Sequence, residues 1–169
     1  WTNIGAGTGD IEPWQLGGTI SGYTTGGEAA AWYNQIDKFS FTSDSDATDV
    51  GDITFSTSHT AGSSSTTHGY SSGSQNPFTD IIQKFSFTVD GNSTDIANLI
   101  SAIDGGSGTS SQTYGYCAGG RPVTSVINKF PFATDTNATN IGNLTVSRQR
   151  ASGQSSGSHG YSSGGHNSP

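Results

Sequence analysis

Short runs in which apolar and polar residues alternate, each followed by a stretch of Ser, Thr, Asp, Asn and Gly, make up most of this chain. In Ile36-Asp37-Lys38-Phe39-Ser40-Phe41 the apolar residues Ile36, Phe39 and Phe41 partly alternate with polar neighbours. A period of two marks a half-buried strand. Residues two apart on a strand share a face, which places Phe39 with Phe41, Phe85 with Phe87 and Phe130 with Phe132. These six rings, with Tyr23, Tyr70, Tyr116 and Tyr161, are the expected core. No stretch sustains a 3.6-residue period, so the sequence predicts almost no helix; Ala29-Ala30-Ala31 is too short and follows a glycine doublet.

The pattern recurs. Residues 36–50 (IDKFSFTSDSDATDV), 82–96 (IQKFSFTVDGNSTDI) and 127–141 (INKFPFATDTNATNI) are copies, with Lys38, Lys84 and Lys129 offset by 46 and then 45 residues. Thr-(Asp/Asn)-(Ile/Val) units start at Thr2, Thr48, Thr94 and Thr139. Gly-Tyr units start at Gly22, Gly69, Gly115 and Gly160, each running into a glycine doublet that is degraded to Gly73-Ser74 in one copy. A period of this size signals a repeat architecture in which each copy covers its neighbour's apolar face. Three or four short strands per repeat predict an all-β fold, a β-propeller with blades of about 45–46 residues. The Asp/Asn/Thr clusters after the Phe pairs are turn chemistry. On this division residues 1–35 are a partial blade with an atypical Trp-rich start, 36–81 and 82–126 are blades, and 127–169 is a blade truncated at its C-terminus. Only three Lys-Phe units occur, so the ring is incomplete within this chain, and a longer array or other copies would complete it.

Hydrophobic residues are only 30% of the chain, a share that often means disorder. The aromatic residues recur at fixed places in the repeat, and that favours a β-rich fold with small-residue turns. A net charge of −7 disfavours a nucleic-acid partner, which needs clustered Lys and Arg. No apolar run approaches the roughly 20 residues of a membrane helix, so membrane insertion is not expected. The single Cys117 excludes an internal disulfide framework.

With Tyr23, Tyr70, Tyr116 and Tyr161 before the doublets and Phe39, Phe85 and Phe130 on the following strand, the repeat resembles the kelch family of β-propellers, the galactose-oxidase propeller included. It departs from the family in lacking the kelch Trp, whose place Val50, Ile96 and Ile141 fill. The wording KFSF…DATDVG with HGYSSGG is also similar to kelch-like repeats in virion proteins of marine bacteriophages. The resemblance implies a propeller fold and an extracellular or virion location.

Four sets of residues carry candidate chemistry. Asp44, Asp46 and Asp49, with Asp90, Asn92 and Asp95, place alternating oxygens on tight loops; capped hairpin turns are the favoured reading, with no cofactor expected, and a Ca²⁺ site is the alternative. His68 and His159 occupy one repeat position, which ring symmetry would aim at a common axis as metal ligands; local strand-end hydrogen bonding is the alternative. Tyr116 beside Cys117 invites comparison with the Tyr–Cys crosslink of the galactose-oxidase copper site, although Thr24, Ser71 and Ser162 fill the Cys117 position elsewhere and read it as a small packed residue. Trp32 and Tyr33 sit in a variable turn, where rigid aromatic area suits a carbohydrate or protein ligand; burial in a neighbouring blade or subunit is the alternative. No nucleophile–base pair or phosphate loop is present in the sequence. The expectation is therefore a non-enzymatic structural or binding propeller, partnered by other copies of itself, neighbouring structural proteins or carbohydrate. A copper-dependent sugar oxidase and a head-to-tail fibre are the alternatives.

Overall fold

The computed structural model describes residues 20–168; Trp1, Trp14 and the first Thr-Asn-Ile unit lie outside the described residues. Strands β1 (Ser21–Glu28), β2 (Trp32–Ser40) and β3 (Thr48–Thr57) form a three-stranded sheet. Strands β4 (Ala61–Ser64), β5 (His68–Ser74), β6 (Thr79–Ser86) and β7 (Thr94–Asn98) form a four-stranded one. Strands β8 (Ser107–Ser110), β9 (Tyr114–Ala118), β10 (Val126–Pro131) and β11 (Thr139–Asn143) form a second four-stranded sheet, and β12 (Ser152–Ser155) with β13 (Gly160–Ser163) a two-stranded one. The described residues are all-β, without helix, and no sheet closes on itself. Within each sheet, strands consecutive in sequence pair antiparallel, so each sheet is a meander whose successive turns fall at alternate ends. Hydrogen bonding also sets the phase of the repeat. The Lys-Phe run is the third strand of its four-stranded sheet, and the divisions at 36, 82 and 127 fall inside β2, β6 and β10.

Local sequence explains the shared register. Tyr70 stands opposite Lys84 and Gly69 opposite Phe85, as Tyr23 and Gly22 stand opposite Lys38 and Phe39, and Tyr116 and Gly115 opposite Lys129 and Phe130. Each Phe ring folds across its glycine, so a Cβ at Gly22, Gly69 or Gly115 would overlap the ring. The glycine before each Tyr is thus fixed by its cross-strand neighbour. At the end of this strand the first glycine of each doublet is left-handed, with φ of +62° at Gly26, +64° at Gly73, +69° at Gly119 and +71° at Gly164. Glycine adopts that conformation without a Cβ penalty. The turn between the first two strands is held by one serine per repeat. Ser65 Oγ accepts from the N–H groups of Thr67 and His68, Ser111 Oγ from Thr113 and Tyr114, and Ser156 Oγ from Ser158 and His159.

The sheets stack in sequence order. At their first strands they meet backbone to backbone: a Cβ on Gly108 would overlap the Gly62 carbonyl, and one on Gly153 the Gly108 carbonyl. The Ser64 N–H donates to Ser110 Oγ at 2.8 Å, and the Ser110 N–H to Ser155 Oγ at 3.0 Å. Farther out the sheets are held apart by aromatic rings. Tyr23 stacks on Phe87 with centroids 4.8 Å apart, and Tyr70 on Phe132 at 4.7 Å. The space between neighbouring sheets is therefore a wedge, narrow at β4, β8 and β12. One apolar cluster, including Tyr70, Ile82, Leu99, Ile103, Cys117 and Phe130, fills the second wedge; Ile36, Ile53 and Phe85 lie in the first. Each such buried side chain contributes about 1.5–3 kcal/mol.

The expected core is realised unevenly. Tyr70, Phe85 and Phe130 are buried. Phe39, Phe87, Phe132, Tyr23 and Tyr116 are half-buried. Phe41 and Tyr161, also expected in the core, are 59% and 54% exposed. The reason is positional: a Phe pair is covered by the Tyr of the preceding sheet and a Tyr by the Phe pair of the following one. Phe41 and Tyr161 belong to the first and last described sheets.

Candidate binding surfaces

The acidic turns lie at the end of the stack where β2 turns into β3, β6 into β7 and β10 into β11. Their oxygens tie one sheet to the next. Asp90 Oδ1 accepts from Lys38 Nζ at 3.0 Å, and Asp135 accepts from Lys84 Nζ at 2.7 Å through Oδ1 and 2.9 Å through Oδ2. Asn92 Oδ1 accepts from the Asp52 N–H at 3.0 Å, and Asn137 Oδ1 from the Asn98 N–H at 3.0 Å. Asp49 Oδ1 caps the Gly51 N–H at 3.1 Å. Asp95 sits on β7 opposite Gln83, while Asp44 and Asp46 are exposed. Of the carboxylates expected to share an ion, Asp90 bonds Lys38 of the preceding sheet and Asp49 a backbone N–H of its own strand. Among the described residues no group of three His, Cys, Asp or Glu side chains converges as a metal site.

Sequence reasoning did not reach these inter-sheet ties. Each Lys stands six residues before an Asp, Lys38 and Asp44, Lys84 and Asp90, Lys129 and Asp135, a spacing that points to a partner within the same copy. The pairs that form join each Lys to the Asp of the following copy. It also did not read the small-residue segments as strands. Gly62, Gly108 and Gly153, spaced 46 and 45 residues apart, mark where β4, β8 and β12 approach one another.

The two candidate histidines make local bonds. His68 Nδ1 is 2.8 Å from Thr67 Oγ1, and His159 Nδ1 is 2.8 Å from Ser158 Oγ. Burial lowers the His68 pKa from its ordinary value, with Lys84 acting in the same direction and Asp135 opposing. Tyr116 and Cys117 are consecutive on β9 and so project to opposite faces. Cys117 is buried, and burial pushes its thiol pKa up to about 12.

The opposite end of the stack carries the hairpins between the second and third strands. Trp32 and Tyr33 open β2 there, 41% and 42% exposed. Phe78, in the corresponding hairpin between β5 and β6, is 47% exposed, an aromatic contact residue that the sequence reading did not single out. This end therefore displays apolar ring surface on successive repeats. No known protein family matches the chain, and no curated protein matches it in sequence.

Proposed function

We propose that the chain is a non-enzymatic run of kelch-like propeller blades serving as a structural or binding module in an extracellular or virion assembly. The wedge between successive sheets carries this reading. Meanders that touch at their first strands and are spaced by stacked rings farther out are rotated relative to one another. The same contacts at each step curve the row about an axis beside β4, β8 and β12. Outward-running meanders around such an axis are propeller blades. Trp32, Tyr33 and Phe78 form the ligand-facing rim, suited to a glycan or a protein surface.

Native mass measurement with negative-stain electron microscopy tests the arrangement. Rings are the expected result; straight filaments would replace the propeller with a head-to-tail fibre. For the rim, a glycan or receptor screen should give hits that Trp32→Ala and Tyr33→Ala weaken together. The acidic turns act here as ties between blades, so Ca²⁺ and EDTA should leave the melting temperature in place. A Ca²⁺-dependent rise would reassign them to ion binding.

A further inference from the structure

We propose that Trp32, Glu28, His59 and Gln75 form a binding site for a neutral pyranose sugar, at the end of the stack that carries the aromatic rim. The proposal rests on the rim reading above and names its ligand class and its polar contacts.

The backbone at His59 points to this place. Among the described residues, His59 and Arg150 are the non-glycine residues with left-handed φ, +59° and +56°. They occupy one repeat position, and Gly105, with φ of +62°, is its copy between them. The three are bonded in succession: the Gly105 N–H donates to the His59 carbonyl at 2.7 Å, and the Arg150 N–H to the Gly105 carbonyl at 2.6 Å. Glycine meets the demand of this position without strain, as Gly105 does, whereas an imidazole is held there at a conformational cost. Strain of this kind is a pointer from structure to function.

The side chains around His59 form a polar cluster that joins the first two sheets. Ser58 is buried beside it, with Oγ 3.3 Å from Glu28 Oε2, 3.1 Å from His59 Nδ1 and 3.2 Å from Gln75 Oε1. His59 Nδ1 also bonds Gln75 Oε1 directly. An amide oxygen only accepts, so with Gln75 in this orientation Nδ1 carries the hydrogen, and in the neutral ring Nε2 is left as an acceptor. The Gln75 amide nitrogen keeps two donors, and Glu28 keeps its second oxygen. None of these three atoms bonds another described side chain, and none is a buried orphan. Glu28 stands opposite Trp32 in the hairpin of β1 and β2, so carboxylate and indole share a face. In the third sheet Asp104 and Arg121 take the places of Ser58 and Gln75, paired at 2.6 Å. A simple ion pair thus closes the same point of the repeat, and the fold does not demand the Glu28, His59 and Gln75 set.

This set selects its ligand. An anion would meet the Glu28 carboxylate. An ammonium group has no lone pair for the Gln75 amide. A pyranose supplies hydroxyls that donate to Glu28 and His59 and accept from Gln75, and a C–H face that lies on Trp32.

The test measures binding of lactose, maltose and cellobiose to the intact chain by saturation-transfer NMR and calorimetry. Saturable binding of at least one sugar is expected, and Trp32→Ala should weaken it about tenfold or more. His59→Gly should weaken it about two- to tenfold while the melting temperature holds or rises, because glycine relieves the left-handed strain. Val89→Ala, an exposed residue at the acidic-turn end, should bind like the parent. No saturable binding of any of the three sugars would overturn the proposal. So would displacement of the sugar by tetramethylammonium, which would place a cation on Trp32. Sugar binding weakened by Tyr33→Ala or Phe78→Ala but not by His59→Gly or Glu28→Gln would sink this site and leave the rim as a glycan surface. A protein receptor weakened by Trp32→Ala and Tyr33→Ala, without sugar binding, would sink the sugar and leave the rim. Sugar binding indifferent to all of these changes would remove both.

Discussion

Tyr70 lies flat on Phe132 of the next sheet, with ring centroids 4.7 Å apart and planes 24° from parallel. Phe130 completes the group, 5.6 Å from Tyr70 and edge-on to Phe132. The same three-ring arrangement joins Tyr23 to Phe85 and Phe87 in the preceding wedge. This aromatic joint fixes the outer spacing of neighbouring sheets.

Truncating the joint should weaken the whole stack. Tyr70→Ala is expected to cost about 3 kcal/mol, because the residue is almost fully buried and the site cannot collapse around rings on both sheets. A double-mutant cycle with Phe132→Ala should return a coupling of about 0.5–1.5 kcal/mol, read by denaturant unfolding. Simple additivity would mean that the two rings are adjacent without interacting. Phe41→Ala, at an exposed ring, should cost less than about 1 kcal/mol.

The inner contact makes a contrasting prediction. Gly108→Ala pushes a methyl into the Gly62 carbonyl and should destabilise by roughly 1–3 kcal/mol, since backbone cannot move aside as a side chain can. Gly157→Ala meets nothing within 4 Å and should stay within about 0.5 kcal/mol of the parent. Equal melting temperatures for the two variants would refute the close approach of β4 and β8.

Stability should depend on pH through His68. Its folded pKa lies below the ordinary value of 6.5 because burial disfavours the charged ring. Above pH 6.5 both folded and unfolded forms are neutral and nothing is lost. As pH falls below 6.5 the unfolded chain binds the proton first, so stability declines until the folded pKa is reached. Unfolding free energy should therefore rise with pH across this window, and His68→Gln should flatten that part of the profile.

Cys117 should be inert in the folded protein. With its pKa near 12, only about one thiol in ten thousand is ionised at pH 8, and the side chain is covered. Labelling by a thiol reagent should track unfolding as denaturant is added. Rapid labelling of the native chain would show that the second wedge opens.

Much of this was legible locally. Two-residue alternation in Ile36–Phe41 and its copies identified β2, β6 and β10, and the small-residue and Asx clusters identified turns. Strand and turn preferences act over a few residues, so a single repeat contains them. The inter-sheet contacts were not legible in this way. Lys38 and Asp90 are 52 residues apart, and Asp44, six residues from Lys38, is the nearer and incorrect partner that linear spacing suggests.

The amino-acid sequence determined the repeat length, the strand-forming segments, the near absence of helix and the face on which each Phe pair lies, because these follow from periodicity and side-chain type. Tertiary structure alone decided which strands of neighbouring sheets meet backbone to backbone, which rings are covered and which are exposed, as Phe41 and Tyr161 are. The physical reason is that every copy carries nearly the same residues, while burial depends on whether another copy stands beside it.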